Sequence, residues 1–208
     1  MLAVAFPGAA GAQFYSYPSF QAPRVALREY NFAAANGGDA GTTLVFQWRE
    51  RTNEGSQLQL DAGLADPRPR SANGRLIIGG SYGRRLNSAT DDFPLDLMFT
   101  TGVGGAFGDG NSFLRVPVGL SVGHRFVLDG AVAVTPYAHP RLAIDYCSRC
   151  GGGGRRDTNL GVDVDLGVSV EFSPSIALRA STLLAGSDFY GRDDGFGISL
   201  AWSPRGLR

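Results

Sequence analysis

The chain has 208 residues, enough for one domain, and its formal charge is zero because 19 arginines balance 19 acidic residues and lysine is absent. This balance argues against a nucleic-acid-binding protein, which would carry a clustered excess of basic residues. No apolar run approaches the length of a transmembrane helix, about 18 residues, so the sequence predicts no such helix.

The N-terminal part of the chain has no strand pattern. Residues 1–12 are apolar and then small, and they resemble the back half of a secretory signal peptide that is cut after an A-x-A motif, before Gln13. A plain N-terminal tail is the alternative interpretation. Residues 13–23 are aromatic and proline-rich, which predicts a periplasmic lead-in to the folded domain.

Ten segments of the remaining chain alternate apolar and polar residues. A period of two places successive side chains on opposite faces of a β-strand, and stretches rich in Gly, Pro, Asn and Asp separate the segments. The predicted strands are Arg24–Ala34, Thr42–Glu50, Gln57–Ala65, Arg75–Gly83, Leu95–Phe107, Leu114–Phe126, Ala131–Tyr146, Asn159–Phe172, Ile176–Ala185 and Phe196–Trp202. A long loop, Cys147–Thr158, is predicted between the seventh and eighth strands.

The segment Asn159–Phe172 shows the alternation most clearly. Every even-numbered residue from Leu160 to Phe172 is apolar, and the odd-numbered residues are small or charged. Strands of globular proteins usually have about 5–6 residues. A transmembrane β-strand needs about 9–11 residues and is apolar toward lipid and polar toward a wet lumen. The sequence therefore predicts an all-β fold, a transmembrane antiparallel up-and-down β-barrel of about 10 strands, with about eight as the alternative.

Aromatic residues stand at the ends of the apolar faces. If both termini are periplasmic, the descending strands end at the inner interface, where amphipathic rings meet lipid headgroups. The predicted lower girdle consists of Trp48, Tyr82, Phe126, Phe172 and Trp202. The predicted upper girdle is sparser and consists of Phe107, Tyr146 and Phe196.

The strands LGVDVDLGVSVEF and FGISLAW and the stretch VTPYAHPRLAIDY resemble those of the small outer-membrane β-barrel proteins of Gram-negative bacteria, the group that includes OmpA-type and OmpW-type barrels. The resemblance covers residues 24–203 and leaves 204–208 as a C-terminal tail. It implies residence in the bacterial outer membrane, contact with outer-membrane lipids including lipopolysaccharide, and insertion by the barrel assembly machinery. Such barrels usually end on an aromatic residue, whereas Ser203–Arg208 follow Trp202 here.

Charged residues on the polar faces of the strands form the candidate lumen lining. They are Asp61, Asp96, Arg115, His139, Arg141, Asp145, Asp163, Asp165, Glu171 and Arg179. Side chains nearly fill the interior of a barrel of about eight strands. We therefore interpret these residues as a network of buried ion pairs that plugs the lumen, with a narrow polar pore or a small-ligand pocket as the alternative.

The two cysteines, Cys147 and Cys150, stand close together in the glycine-rich loop. A thioredoxin-like site requires a helix that begins at the first cysteine, and a zinc site requires two further ligands, which the neighbouring sequence lacks. The pattern therefore predicts a disulfide within the loop of an exported protein. No metal site and no cofactor are predicted.

The predicted function is that of an integral outer-membrane barrel, structural or narrow-pore, whose outer loops carry surface interactions. A soluble periplasmic ligand-binding β-barrel is the main alternative. A barrel enzyme that modifies envelope lipids would pair His139 with Ser121 or Asp145, but no spacing supports this pairing. His124 is predicted on the lipid face. The protein is therefore predicted not to be an enzyme.

Overall fold

The computed structural model describes residues 17–37, 41–66, 74–108, 111–128, 132–151, 155–186 and 194–204. Side chains are described for these residues except 111, 150, 151 and 155. The predicted signal segment, residues 1–12, lies outside the described residues. So does the predicted C-terminal tail from residue 205 onward.

Within the described ranges the alternating pattern forms eleven β-strands. They are β1 (Arg28–Asn36), β2 (Thr42–Asn53), β3 (Ser56–Asp66), β4 (Arg75–Asn87), β5 (Asp96–Gly108), β6 (Asn111–Gly123), β7 (Phe126–Val127), β8 (Ala133–Gly151), β9 (Arg155–Ser173), β10 (Ile176–Ala185) and β11 (Gly195–Trp202). Each predicted segment overlaps one of the longer strands, because the period of two is itself the signature of a strand with two different faces.

The described strands pair antiparallel with their neighbours in chain order, and the sheet closes on itself. β1 pairs with both β2 and β11, and the edge of β8 receives β6 and then the two-residue β7. β6 and β7 therefore occupy a single strand position in the barrel wall. The predicted transmembrane antiparallel up-and-down barrel of about ten strands is confirmed, and closure leaves no unpaired edge in the described sheet.

The barrel has two distinct ends. We call the end where β1 begins the lower end and the opposite one the upper end. Two-residue turns, residues 54–55 and 174–175, join β2 to β3 and β9 to β10 at the lower end. Tight turns of this kind join adjacent antiparallel strands.

The predicted loop Cys147–Thr158 is wrong at both of its ends, because β8 continues to Gly151 and β9 begins at Arg155. β8 and β9 have 19 residues each, and Cys147 pairs with Asp157 as Tyr146 does with Thr158. The polar, glycine-rich composition suggests a loop. In an antiparallel hairpin, however, the backbone groups of the two strands satisfy each other whatever the side chains are. Both cysteine positions therefore belong to β8.

The outer face of the described wall is apolar and its inner face is polar or small. In β11, Phe196 and Trp202 are 57% and 49% exposed, whereas Ser199 and Ala201 are each 2% exposed. Large apolar side chains cover the outer surface of the other long strands in the same way. Soluble monomers rarely expose apolar patches larger than a few hundred Å². The wall therefore faces lipid, which argues against a soluble periplasmic barrel.

The predicted girdle residues project from the outer face. About half of the surface is exposed for Phe107, Phe126, Phe172, Phe196 and Trp202. Exposure is intermediate for Trp48, Tyr82 and Tyr146. Tyr30 of β1 joins the lower group, since its ring stacks on that of Trp202 with centroids 5.5 Å apart. The role of these rings at the membrane interfaces stays a prediction.

Candidate functional site

The barrel lumen contains a segment of the chain itself. Residues Tyr17–Pro23, here called the plug, precede β1 and lie inside the wall, and Phe20 has no exposed surface. Residues 13–23 are predicted to be a periplasmic lead-in, but their described part occupies the lumen. Residues Arg24–Leu27 then carry the chain from the lumen into the wall. The first strand therefore begins at Arg28, later than predicted.

Phe20 holds the plug by packing. Its φ of 51° lies in the left-handed region, which costs energy for a residue with a Cβ atom. Its ring lies against Gly197, where an added Cβ would come within 2.7 Å of the ring, so a glycine is needed there. Burial of the ring contributes about 2–3 kcal/mol and offsets the strain.

Phe20 and Tyr17 belong to an apolar cluster near the upper end of the lumen, here called the upper cluster. Its other members are Ala33, Ala35, Val45, Ala65, Ile77, Ala106, Phe113 and Cys147. Most of these wall residues are small, which leaves space for the two aromatic rings of the plug. Packing of these side chains therefore closes this part of the lumen.

Polar contacts tie the plug to several strands. The Ser19 amide and hydroxyl donate to Asp165 Oδ2 over 3.2 and 2.6 Å, and Ser19 Oγ lies 2.7 Å from His139 Nδ1. Ser121 Oγ donates to the Gln21 carbonyl oxygen over 2.6 Å. Arg49 Nη2 donates to the carbonyl oxygens of Ser19 and Phe20, both over 3.2 Å. The ties come from β2, β6, β8 and β9.

Three of the predicted lumen residues, His139, Arg141 and Asp165, meet on the inner face of the wall, midway between its two ends. His139 Nε2 lies 2.8 Å from the hydroxyl of Thr100, and Arg141 Nη2 donates to Asp165 Oδ1 over 2.8 Å. The ring nitrogens of His139 thus face Ser19, Thr100 and Asp165. Ser121, the serine that an enzyme of this kind would pair with His139, instead donates to the plug.

A second buried group lies closer to the upper end. Arg115 of β6 bonds through Nη2 to Asp163, and its Nε lies 3.6 Å from Asp145 Oδ1. All three side chains are buried. The two carboxylates compensate the charge of the buried arginine. This compensation is needed because an unpaired charge is costly where water is excluded.

Glutamates organise the lower end of the lumen. Glu29 accepts from Arg179 at both oxygens, over 2.8 and 2.7 Å, and Arg49 Nη1 donates to the same carboxylate over 2.9 Å. Glu171 lies 2.6 Å from Arg24 and 2.9 Å from Arg125. The hydrogen bond to Glu171 raises the pKa of the Arg125 guanidinium above its ordinary value. Each carboxylate is therefore held between two guanidinium groups.

The other two predicted lumen residues stand apart from these groups. Asp61 is half-buried and accepts from Gln59 Nε2 over 2.8 Å. Asp96 Oδ1 accepts from the Ala89 amide over 3.0 Å near the lower end. Sequence reasoning missed Glu29, because the first strand showed the least regular faces, and it left Arg49 out of the lining although the residue alternates with Trp48. The period of two in β1 and β2 places both residues on the inner face and could have identified them.

Little space remains inside the barrel. A cavity of about 70 Å³ lies in the middle of the lumen, next to Tyr17, Ser19, Asp61 and His139. A larger cavity of about 400 Å³, here called the lower vestibule, opens at the lower end and reaches the plug at Ala22 and Pro23.

The remaining candidate residues show no further site. Cys147 is buried on the inner face and is disulfide-bonded, while the side chain of Cys150 lies outside the described residues. His124 packs edge-on against Phe126, with ring centroids 4.5 Å apart. In the described part of the chain, no group of three or more His, Cys, Asp or Glu residues is placed to hold a metal ion, and no helix is long and apolar enough to cross a membrane.

Comparisons with known proteins identify the fold. No protein-family model and no curated protein matches the chain. A bacterial polysaccharide outer membrane secretin is similar over 83% of this chain, with 10% identity and a TM-score of 0.51, and this chain covers 58% of it. LpxR from Salmonella typhimurium is similar over 84% of this chain and 99% of its own, with 10% identity and a TM-score of 0.50.

A KdgM porin matches over 86% of this chain and 99% of its own, with 12% identity and a TM-score of 0.41. At such identities similarity shows the fold alone. The names OmpA-type and OmpW-type stay predictions. The chain has the fold of the small outer-membrane β-barrel proteins, as its sequence predicts.

Proposed function

We propose that this protein is an integral outer-membrane β-barrel that its own N-terminal segment holds closed, so that it is a structural barrel at rest and a narrow pore when that segment leaves. The plug is the observation that carries the proposal, because Phe20 is fully buried inside a closed wall. A closed barrel with an apolar outer face suits a bilayer, since its backbone groups are satisfied within the wall.

The space left in the lumen supports a closed resting state. The central cavity of about 70 Å³ has room for only a few water molecules, and plug residues form part of its lining. An ion that crossed the lumen would have to displace the plug or separate Arg141 from Asp165. Displacing the plug breaks several hydrogen bonds, and separating Arg141 from Asp165 breaks a buried ion pair. Both steps are costly in a site shielded from water.

The plug can leave without breaking the wall. Its residues belong to none of the described strands, and side chains supply the ties that hold it to the barrel. Departure of the plug would leave a lumen lined by the charged residues of the inner face. This arrangement supports a narrow pore rather than a wide diffusion channel.

Conductance across a planar bilayer tests this function. The full chain is expected to show rare, brief openings, and Phe20→Ala is expected to open far more often, because loss of the ring removes about 2–3 kcal/mol of plug binding. Phe93→Ala, a change at an exposed residue of the lower connection, is the matched control. A heat-induced shift of the folded band on an SDS gel verifies that each variant forms a barrel.

Frequent openings of the unsubstituted chain, equal to those of Phe20→Ala, would show that the plug does not close the lumen. In our proposal His139 holds the plug and has no catalytic role. Residence in the outer membrane would also bring the barrel into contact with lipopolysaccharide and require its insertion by the barrel assembly machinery. A mass shift of lipid A on overexpression would instead support a lipid-modifying enzyme.

A further inference from the structure

The lower vestibule carries an excess of positive charge. Among the described residues that line it, five are arginines and three are carboxylates. The arginines are Arg24, Arg49, Arg85, Arg125 and Arg179, and the carboxylates are Glu29, Asp96 and Glu171. The chain as a whole has no net charge. The excess of two positive charges is therefore a property of the vestibule lining.

The carboxylates of the vestibule are already occupied. Glu29 and Glu171 each hold two guanidinium groups at 2.6–2.9 Å, and Asp96 accepts from a backbone amide. Neither glutamate can neutralise both of its arginines. The internal ion pairs therefore leave the excess charge uncompensated.

Among the arginines of the vestibule, Arg85 is the best placed to bind an anion, because its described hydrogen bond is to a group without a formal charge. It extends from the end of β4 and donates over 2.9 Å to the carbonyl oxygen of Glu54, which carries no formal charge. Arg24 and Arg125, at 56% and 40% side-chain exposure, also keep part of their guanidinium groups open to the vestibule. Guanidinium groups present several N–H donors in a planar fork that matches phosphate oxygens.

We propose that the lower vestibule binds a phosphate-bearing anion with about two negative charges, held by Arg85, Arg125 and Arg24. The cavity of about 400 Å³ has room for such a group. A net excess of positive charge inside a cleft with low-dielectric walls attracts anions. The buried pairs of Arg49 and Arg179 with Glu29 also line this cavity. This inference does not depend on whether the barrel conducts.

Titration calorimetry with sodium pyrophosphate and the full chain in a zwitterionic detergent, at fixed ionic strength, tests the site. Saturable binding of one anion per barrel is expected. Arg85→Gln and Arg125→Gln should each weaken it about fivefold or more, because each removes a charged hydrogen-bond donor. Arg84→Gln is the matched control: it removes the same charge from the neighbouring residue, which lies outside the vestibule lining.

No measurable binding up to millimolar pyrophosphate would overturn the proposal, as would an equal loss in Arg84→Gln, which would indicate general charge screening. Arg85→Gln carries most weight, because its side chain is exposed and the variant is expected to keep the folded band on an unboiled SDS gel. Repeating the titration with short-chain phosphatidic acid, a phosphomonoester lipid, distinguishes the source of the phosphate. Competition assigns the site to a lipid headgroup, and its absence assigns the site to a soluble anion, both through the same phosphate chemistry.

Discussion

The two ends of the lumen are built by different means. Near the upper end, Tyr17 and Phe20 fill the space between small apolar wall residues. At the lower end, Glu29 and Glu171 each hold two arginines around an open vestibule. The stability lost from a packed cluster grows with the volume that is removed from it. A buried ion cluster instead loses most of its stability at once when its shared carboxylate is removed. Shape therefore closes the upper end and charge organises the lower one.

Loss of the shared carboxylate at the lower end should have the largest effect on stability. Glu29→Gln leaves Arg49 and Arg179 as buried cations without their common partner, which is expected to cost about 3–5 kcal/mol. The temperature at which the folded band disappears from an SDS gel should fall markedly. Glu50→Gln, which breaks the more exposed pair with Arg28, is the control and should change it far less. An equal fall in this temperature for both variants would show that Glu29 does not hold a buried ion cluster.

Removal of volume near the upper end should have a somewhat smaller effect. Ile77→Ala opens a void in the upper cluster and is expected to cost about 2–4 kcal/mol in urea unfolding monitored by tryptophan fluorescence. Ile78→Ala is the matched control, because Ile78 projects from the outer face and is half exposed. A larger loss for Ile78 than for Ile77 would contradict the assignment of the two faces.

Loss of a single tie to the plug should have the smallest effect on the barrel and a visible effect on gating. Ser19→Ala removes the hydroxyl that bonds Asp165 and lies beside His139, which should weaken plug binding by about 1–1.5 kcal/mol. The open probability in a planar bilayer should rise about tenfold. Ser56→Ala removes a buried hydroxyl that contacts Tyr82 instead and should leave gating unchanged. If both variants gate alike, Ser19 does not hold the plug.

The strands could be predicted from the sequence because their two faces meet different surroundings. Asn159–Phe172 alternates so regularly that β9 contains the whole predicted segment. The hairpin through Cys147 and Thr158 could not be predicted, because its residues are polar and glycine-rich on both faces. Pairing with the opposite strand, rather than side-chain pattern, makes that segment a strand.

The candidate site was less predictable, because it depends on contacts between distant parts of the chain. Ser19 and Asp165 are 146 residues apart, and Glu29 and Arg179 are 150 apart. Periodicity assigns charged residues to the inner face but does not say which of them pair. The plug has no periodicity, so its sequence suggests an irregular lead-in and gives no sign that Phe20 is buried.

The measurement that tests the plug most directly is the accessibility of position 20 in the folded barrel. Phe20→Cys is treated with a maleimide reagent in detergent, with Phe93→Cys at an exposed site as the control; Cys147 is disulfide-bonded and does not compete. Position 20 is expected to react at least about tenfold more slowly than position 93, because the hydrogen bonds of Ser19 and Gln21 still hold the plug after the ring is lost, and the two rates are expected to become equal in urea. Equal rates in the folded protein would contradict the account, because Phe20 would then lie outside the lumen.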